Sequence, residues 1–194
     1  MPALASIVQR AVRLLRARHA VRIRPIRSTD GEELQAFVRG LSERARYLRF
    51  FRPLRELPPR MLRQLVEADG VTERVLVAVE GNAGGARLVA LAQTALEADG
   101  GCEFALVIAD DWQGRGLGRR LLRALVAAAG AAGVTQIRGE VLRENRAMLK
   151  LARALGFSVA SSPLDTNLLR VVRELNRPTP RPAVHGAPHL PHPV

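Results

Sequence analysis

The chain has 194 residues, 47% of them hydrophobic, with 30 basic and 18 acidic side chains for a formal charge of +12. That is about one domain's length with ample apolar material for a core, which excludes an intrinsically disordered or collagen-like chain. No apolar run approaches the ~18 residues of a membrane span, and the only cysteine, Cys102, excludes an intrachain disulfide or a thiolate metal cluster, so the chain reads as soluble and cytoplasmic.

Residues 1–27 hold seven arginines and no acid, while residues 28–176 hold 21 basic and 18 acidic side chains, so the body is nearly balanced. Leu4, Ile7, Val8, Ala11, Val12, Leu14 and Leu15 keep helical spacing opposite Arg10, Arg13 and Arg16. Residues 1–20 therefore read as a basic amphipathic segment, suited either to packing on its own domain or a partner subunit, or to an anionic membrane or a targeting role. With seven aromatics in the chain, most in apolar settings, no nucleic-acid surface is expected.

Residues 21–176 read as the folded unit. Val21, Ile23, Pro25 and Ile26 suggest an opening strand; Ser28 or Thr29 before Glu32 and Glu33 resembles a helix N-cap with acids in the first turn. Ser42 is placed to cap a second helix, and Pro59 to begin a third that includes Met61, Leu62, Leu65 and Val66. Residues 74–80 and 87–96 read as strands joined by the Gly-rich turn 81–85 into an antiparallel hairpin. Residues 102–108 form a third meander strand; helical spacing of Leu117, Leu121 and Leu125 follows, then a strand over 134–141, a helix over 146–155 stopped by Gly156, and a final strand over 168–175. Residues 177–194, with six prolines and three histidines, read as a disordered tail. The order predicts a mixed α/β fold with helices on both faces of one sheet.

The stretch 110–120 lies between the third meander strand and a helix. Glycine lets the backbone approach a ligand closely, and the unpaired N–H groups of a helix start form an anion site suited to a pyrophosphate, with Arg115, Arg119 and Arg120 adding full charges. Gly118 is followed by two arginines, which excludes a P-loop, and the third glycine of a dinucleotide fingerprint is missing at 119.

Gln113-Gly114-Arg115-Gly116-Leu117-Gly118 resembles the Gln/Arg-x-x-Gly-x-Gly/Ala signature of the Gcn5-related N-acetyltransferases (GNAT), and Asn145 with the later Gly156-Phe157 pair is similar to a second block of that family. The resemblance covers about residues 21–176. Residues 42–51, Glu103-Phe104-Ala105 and Asp110-Asp111-Trp112-Gln113 are similar to the bacterial branch that acetylates lysines of proteins such as acyl-CoA synthetases. It implies a largely antiparallel sheet whose strand before the loop is bulged and splays from the next, with acetyl-CoA as co-substrate and no metal. Backbone groups of Val107, Ile108 and Ala109 are then expected on the pantetheine amides, those of Gln113, Gly114, Arg115, Gly116, Leu117, Gly118 and Arg119 on the pyrophosphate, and Asn145 on the pantetheine arm.

Attack on a thioester requires a neutral amine, whereas a lysine ammonium has a pKa of about 10.4, so a base is needed. Glu103 stands where the resemblance implies the glutamate, its pKa expected to rise by burial against Phe104; the bland alternative is a glutamate facing water, and Glu140 is the second candidate. The tyrosine that many relatives use to protonate the leaving thiolate is replaced by Ala152, so no general acid is assigned. Acetylation of a protein lysine is the expected function; a small-molecule amine acceptor and a non-catalytic acyl-CoA-binding module are the alternatives. The arginines at 39, 44, 46, 49, 52 and 55 suit either steering of an acidic protein surface or a solvated helical face, and Tyr47, Phe50 and Phe51 are expected to wall the acceptor cleft.

Overall fold

A computed structural model describes residues 21–81 and 85–175. The amphipathic segment, the 177–194 tail and the middle of the 81–85 turn lie outside the described residues.

β1 (Val21–Pro25), β2 (Glu73–Glu80), β3 (Arg87–Leu96), β4 (Cys102–Ile108), β5 (Gln136–Leu142), β6 (Ser158–Ser161) and β7 (Leu168–Glu174) form one sheet in the order β1-β2-β3-β4-β5-β7-β6. All neighbours are antiparallel except β4 and β5. α1 (Gly31–Gly40), α2 (Glu43–Phe50) and α3 (Pro59–Val66) precede β2; α4 (Leu117–Ala131) follows β4, and α5 (Arg146–Ala154) follows β5. β6 is the strand that the sequence pattern does not reveal: four residues, mostly exposed, without apolar alternation.

Period-two alternation divides the central strands between two cores. Val75 and Val77 of β2, Leu91 of β3 and Val107 of β4 pack against Leu34, Phe37 and Val38 of α1 and Leu65 of α3. Ala78, Ala90, Ala92, Cys102, Phe104 and Ile137 pack against Leu121, Leu122 and Leu125 of α4 and Leu149 and Ala152 of α5. Leu121, Leu122 and Leu125 are fully buried, each worth about 1.5–3 kcal/mol in burial free energy. Covered on both sides, β3 reads as a continuous apolar run from Leu88 to Ala92.

Two local expectations change. Neither Ser28 nor Thr29 caps α1: residues 28–30 form a short 3-10 turn, and Asp30 precedes α1 with its carboxylate turned inward to accept from Arg24 Nη1 (2.6 Å), Arg24 Nη2 (2.8 Å) and the Arg27 amide (2.8 Å). Ser42 does cap α2, accepting from the Ala45 amide at 3.1 Å. The expected bulge in β4 is absent. The register of β4 on β3 runs unbroken from Cys102 opposite Leu96 to Ile108 opposite Ala90, and the irregularity lies one strand over, where Ala78 opposes Ala90 and Val79 opposes Leu88, leaving Val89 as the extra residue.

The splay is present. β4 and β5 pair only at Cys102 with Ile137 and at Glu103 with Arg138, while β5 stays paired to β7 over its full length. At the point of separation stands Gly139, where a Cβ would lie 2.9 Å from Phe104 Cε1 and 3.0 Å from the Phe104 carbonyl oxygen. Phe104 in turn packs edge-on against Phe157, with centroids 5.4 Å apart.

Candidate active site

At the end of β4 the chain turns through residues 110–112 into the glycine loop. Gly114 (φ 73°) and Gly116 (φ 79°) occupy the left-handed region, which costs an L-residue about 1–2 kcal/mol, and Gly116 stands at the N-cap of α4 with no side-chain cap. The first intrahelical bond in this turn is donated by the Arg120 amide to the Gly116 carbonyl, so the amides of Leu117, Gly118 and Arg119 have no intrahelical acceptor. Gly118 is needed for another reason: a Cβ there would lie 3.1 Å from Ile108 Cδ1 and 3.2 Å from Leu151 Cδ2, so its absence lets α4 lie close on β4 and α5. Arg115 stacks over Trp112 at 4.8 Å, and Arg119 and Arg120 are exposed beside the helix start. The loop thus joins a positive helix terminus to three exposed cations.

A cleft of about 480 Å³ opens where β4 and β5 part, lined on the strand side by Glu103, Phe104, Ala105, Leu106, Glu140 and Val141, on the α5 side by Asn145 and Met148, and on the α2 side by Leu48, Arg49, Phe50, Phe51 and Arg52. Tyr47 is not among the lining residues; it is 43% exposed elsewhere on α2. The Ala109 amide donates to the Val89 carbonyl at 2.9 Å. By the alternation of antiparallel pairing, Val107 likewise bonds back to β3, whereas Leu106 and Ile108 present their backbone groups to the gap. Of the three residues singled out at 107–109, then, only Ile108 faces the opening, and Leu106 joins it; counting alternation from the β3–β4 register is the signal that finds it. Gln113 folds its side chain back so that Nε2 donates to the Ile108 carbonyl at 3.2 Å. Asn145 caps α5, its Oδ1 accepting from the Met148 amide at 3.1 Å, which leaves Nδ2 available to the cleft.

Glu103, the last residue of β4 paired to β5, is exposed in the cleft where the strands part. Its pKa is pushed up by desolvation in the cleft and by the charges of Glu97 and Glu140, against the pull of Arg49 and Arg138. Phe104 has no part in this, since it points to the other face of the sheet. Glu140 is partly neutralised: Oε1 accepts from Arg170 Nε at 2.6 Å, while Oε2 is buried without a partner. Arg138 is held by Glu97 and by Asp99 (2.8 Å). Ala152 is fully buried in α5, and among the described residues no hydroxyl, thiol or imidazole lines the cleft. Cys102 is buried with its thiol pushed up to about 11 by desolvation, which makes it inert.

The arginines of residues 39–55 do not act as one face. Arg46 turns to the C-terminus of α1 and donates from Nη1 to the carbonyls of Leu41 and Arg39, and Arg39 lies 3.6 Å from Glu56. Arg44 and Arg55 are exposed, Arg52 is exposed at the edge of the cleft, and Arg49 turns into it. Its inward course is legible in helical spacing, because it follows buried Ala45 by four residues. A longer-range bond ties α2 to the loop: Asp110 accepts from the Ser42 amide (2.9 Å) and hydroxyl (2.6 Å). Among the described residues no group of three or more side chains is arranged to hold a metal ion, and no helix is long and apolar enough to cross a membrane.

A family model described as acetyltransferase (GNAT) domain matches residues 20–158. An acetyltransferase of Pseudomonas aeruginosa is 37% identical over 150 residues, 77% of this chain and 80% of the relative. The acetyltransferase Pat of Mycolicibacterium smegmatis is 33% identical over 138 residues, 69% of this chain but 40% of that longer protein. Among solved structures, the GNAT domain of S. lividans PAT superposes with a TM-score of 0.72 at 27% identity, covering 80% of this chain and 90% of that one.

Proposed function

This chain belongs to the acetyltransferase (GNAT) family of acetyl-CoA-dependent N-acetyltransferases, and we propose that its acceptor is a protein lysine side chain that meets the donor in one ternary complex. The observation that carries the reading is the joining of two features at one end of β4: an uncapped helix start behind two positive-φ glycines, and a gap between β4 and β5 that leads from it to Glu103.

The residues fit the donor. The amides of Leu117, Gly118 and Arg119, with Gly114 and Gly116 making room and Arg115 and Arg119 adding charge, would hold a diphosphate; Gln113 closes the loop at its start. Leu106 and Ile108 offer an open strand edge on which an amide-bearing arm can pair, and Asn145 adds a side-chain donor across the gap. Ile108 can do so once Gln113 Nε2 releases its carbonyl. Acetyl-CoA supplies an acetyl group activated as a thioester.

Glu103 takes the proton of the acceptor ammonium, through a water, before attack. Its raised pKa brings it nearer to the operating range than an ordinary carboxylate. Glu140, with one oxygen neutralised by Arg170, stands across the cleft where it can accept an N–H of the same amine. The leaving thiol, with a pKa of about 8.5, departs as thiolate into water, since buried Ala152 donates nothing. The lysine reading is supported by the similarity of residues 42–51, 103–105 and 110–113 to protein acetyltransferases and by a cleft open enough for a side chain carried on a protein. Incubation with labelled acetyl-CoA and a panel of lysine-bearing proteins and small polyamines tests it. Label on protein lysines supports the reading, transfer confined to small amines overturns the acceptor assignment, and donor binding without transfer to any amine favours a non-catalytic module.

A further inference from the structure

Arg49 is unlike every other arginine of α2. It lines the cleft beside Glu103, and its guanidinium is held in place from two sides: Nη2 donates to Gln93 Oε1 at 2.7 Å, and the group lies 4.8 Å from the centroid of Phe50. Nε is buried with no acceptor, and Nη1 donates to no described residue. No carboxylate lies within ion-pair distance of it among the described residues. Burial has pushed its pKa down to about 10, and the more distant charge of Glu103 only partly offsets this. A fixed, partly desolvated, donor-only cation with N–H groups to spare is costly in the free protein.

The strand side of the cleft, across from Arg49, has the opposite polarity. The exposed carboxylate of Glu103, with Glu140 across the cleft, offers acceptors to an amine nitrogen. One end of the cleft therefore suits N–H groups, and the Arg49 end suits an oxygen. An ammonium cannot occupy the Arg49 end, because two cations would face each other across a poorly solvated space.

We infer that Arg49 is a specificity-determining residue whose guanidinium takes a carbonyl or carboxylate oxygen of the acyl acceptor, so that amines carrying such an oxygen within reach are acetylated in preference to plain alkylamines. The inference rests on the function proposed above and narrows its acceptor: a lysine is recognised together with the peptide carbonyl or carboxylate that its stem carries, and a simple polyamine is not.

The test compares kcat/KM for three acceptors: butylamine, which has no oxygen; Nα-acetyl-lysine methylamide, with peptide carbonyls; and Nα-acetyl-lysine, with a carboxylate. The expected result for the wild type is a preference of about 10- to 100-fold for an oxygen-bearing acceptor, the worth of one charge-assisted hydrogen bond. In Arg49→Lys, which keeps the charge but loses the fork, that ratio should fall toward one, chiefly through KM, with the larger loss marking which oxygen Arg49 holds. A ratio unchanged in Arg49→Lys overturns the inference while acetyl transfer itself stands. Should that variant fail to fold, the wild-type preference decides alone, and equal use of all three acceptors overturns the inference. If the wild type binds no acetyl-CoA, or acetylates no amine at all, the proposed function fails and the inference falls with it.

Discussion

Replacing Glu103 by Gln removes a proton acceptor while leaving the shape of the cleft almost unaltered, so it separates chemistry from folding. Glu103 is exposed, and the influences on it are desolvation and charges at longer range rather than a hydrogen bond or a contact ion pair. Its loss should therefore disturb stability by no more than about 0.5 kcal/mol, as for surface substitutions. Its pKa is raised in the folded protein, so the stability it contributes is present below its unfolded pKa and is lost as pH rises through the folded one. At neutral pH the variant's Tm should equal or exceed that of the wild type. The chemical effect is far larger: loss of a positioned base costs about 10²- to 10⁴-fold in kcat, or roughly 3–5 kcal/mol of transition-state stabilisation. Because Glu103 works only when ionised, the acidic limb of the wild-type kcat profile should fall above the usual carboxylate range, and the variant should lose it. Steady-state kinetics across pH, with calorimetry of donor binding as control, reads all of this. A variant that binds acetyl-CoA and turns over at the wild-type rate with the wild-type limb refutes the assignment of Glu103 as base.

Gly116→Ala forces a side chain into φ 79° at the α4 N-cap; calorimetry should show coenzyme A affinity reduced at least tenfold, against a stability loss of only about 1–2 kcal/mol. Gly139→Ala sets a Cβ within 3.1 Å of the Phe104 ring and carbonyl, and thermal denaturation should show a loss of about 1–3 kcal/mol from overpacking. Asp30→Ala strands Arg24, which is largely buried, and should cost about 3 kcal/mol or more in chemical denaturation. The Asp30 carboxyl is held below its usual range first by its bond from Arg24. The stability it provides is therefore complete above its unfolded pKa and disappears as pH falls through the lower, folded one, a fall that the Asp30→Ala variant should not show.

What could be read without coordinates was what local physics dictates. Pro59 at the start of α3, Ser42 at the cap of α2 and the apolar spacing of Leu117, Leu121 and Leu125 all announce their elements, because each effect operates within one turn of helix. Short β6 escaped because Ser158 and Ser161 carry no apolar alternation and its pairing partner β7 lies ten residues on. The cap of α1 is not found at Ser28 or Thr29 for a similar reason: that Asp30 precedes the helix, its carboxylate turned to Arg24 on β1, is decided by tertiary contact. Within the site, the glycine loop and Glu103 were legible as residues, but the division of labour along 106–109 depends on the pairing register of β4, and the orphaned guanidinium of Arg49 depends on Gln93 from another strand. The cause of Glu103's perturbation likewise lies first in desolvation by the assembled cleft and then in the charges of Glu97 and Glu140, which only the folded chain brings about.

The amides at the head of α4 are the proposed diphosphate seat, on which donor binding depends. Titration calorimetry of the protein with coenzyme A, and in parallel with pantetheine, which lacks the diphosphate, measures that seat directly. Coenzyme A should bind at least about 100-fold more tightly than pantetheine, with the difference shrinking as salt is added. Equal affinities for the two, or no binding of coenzyme A, would contradict it.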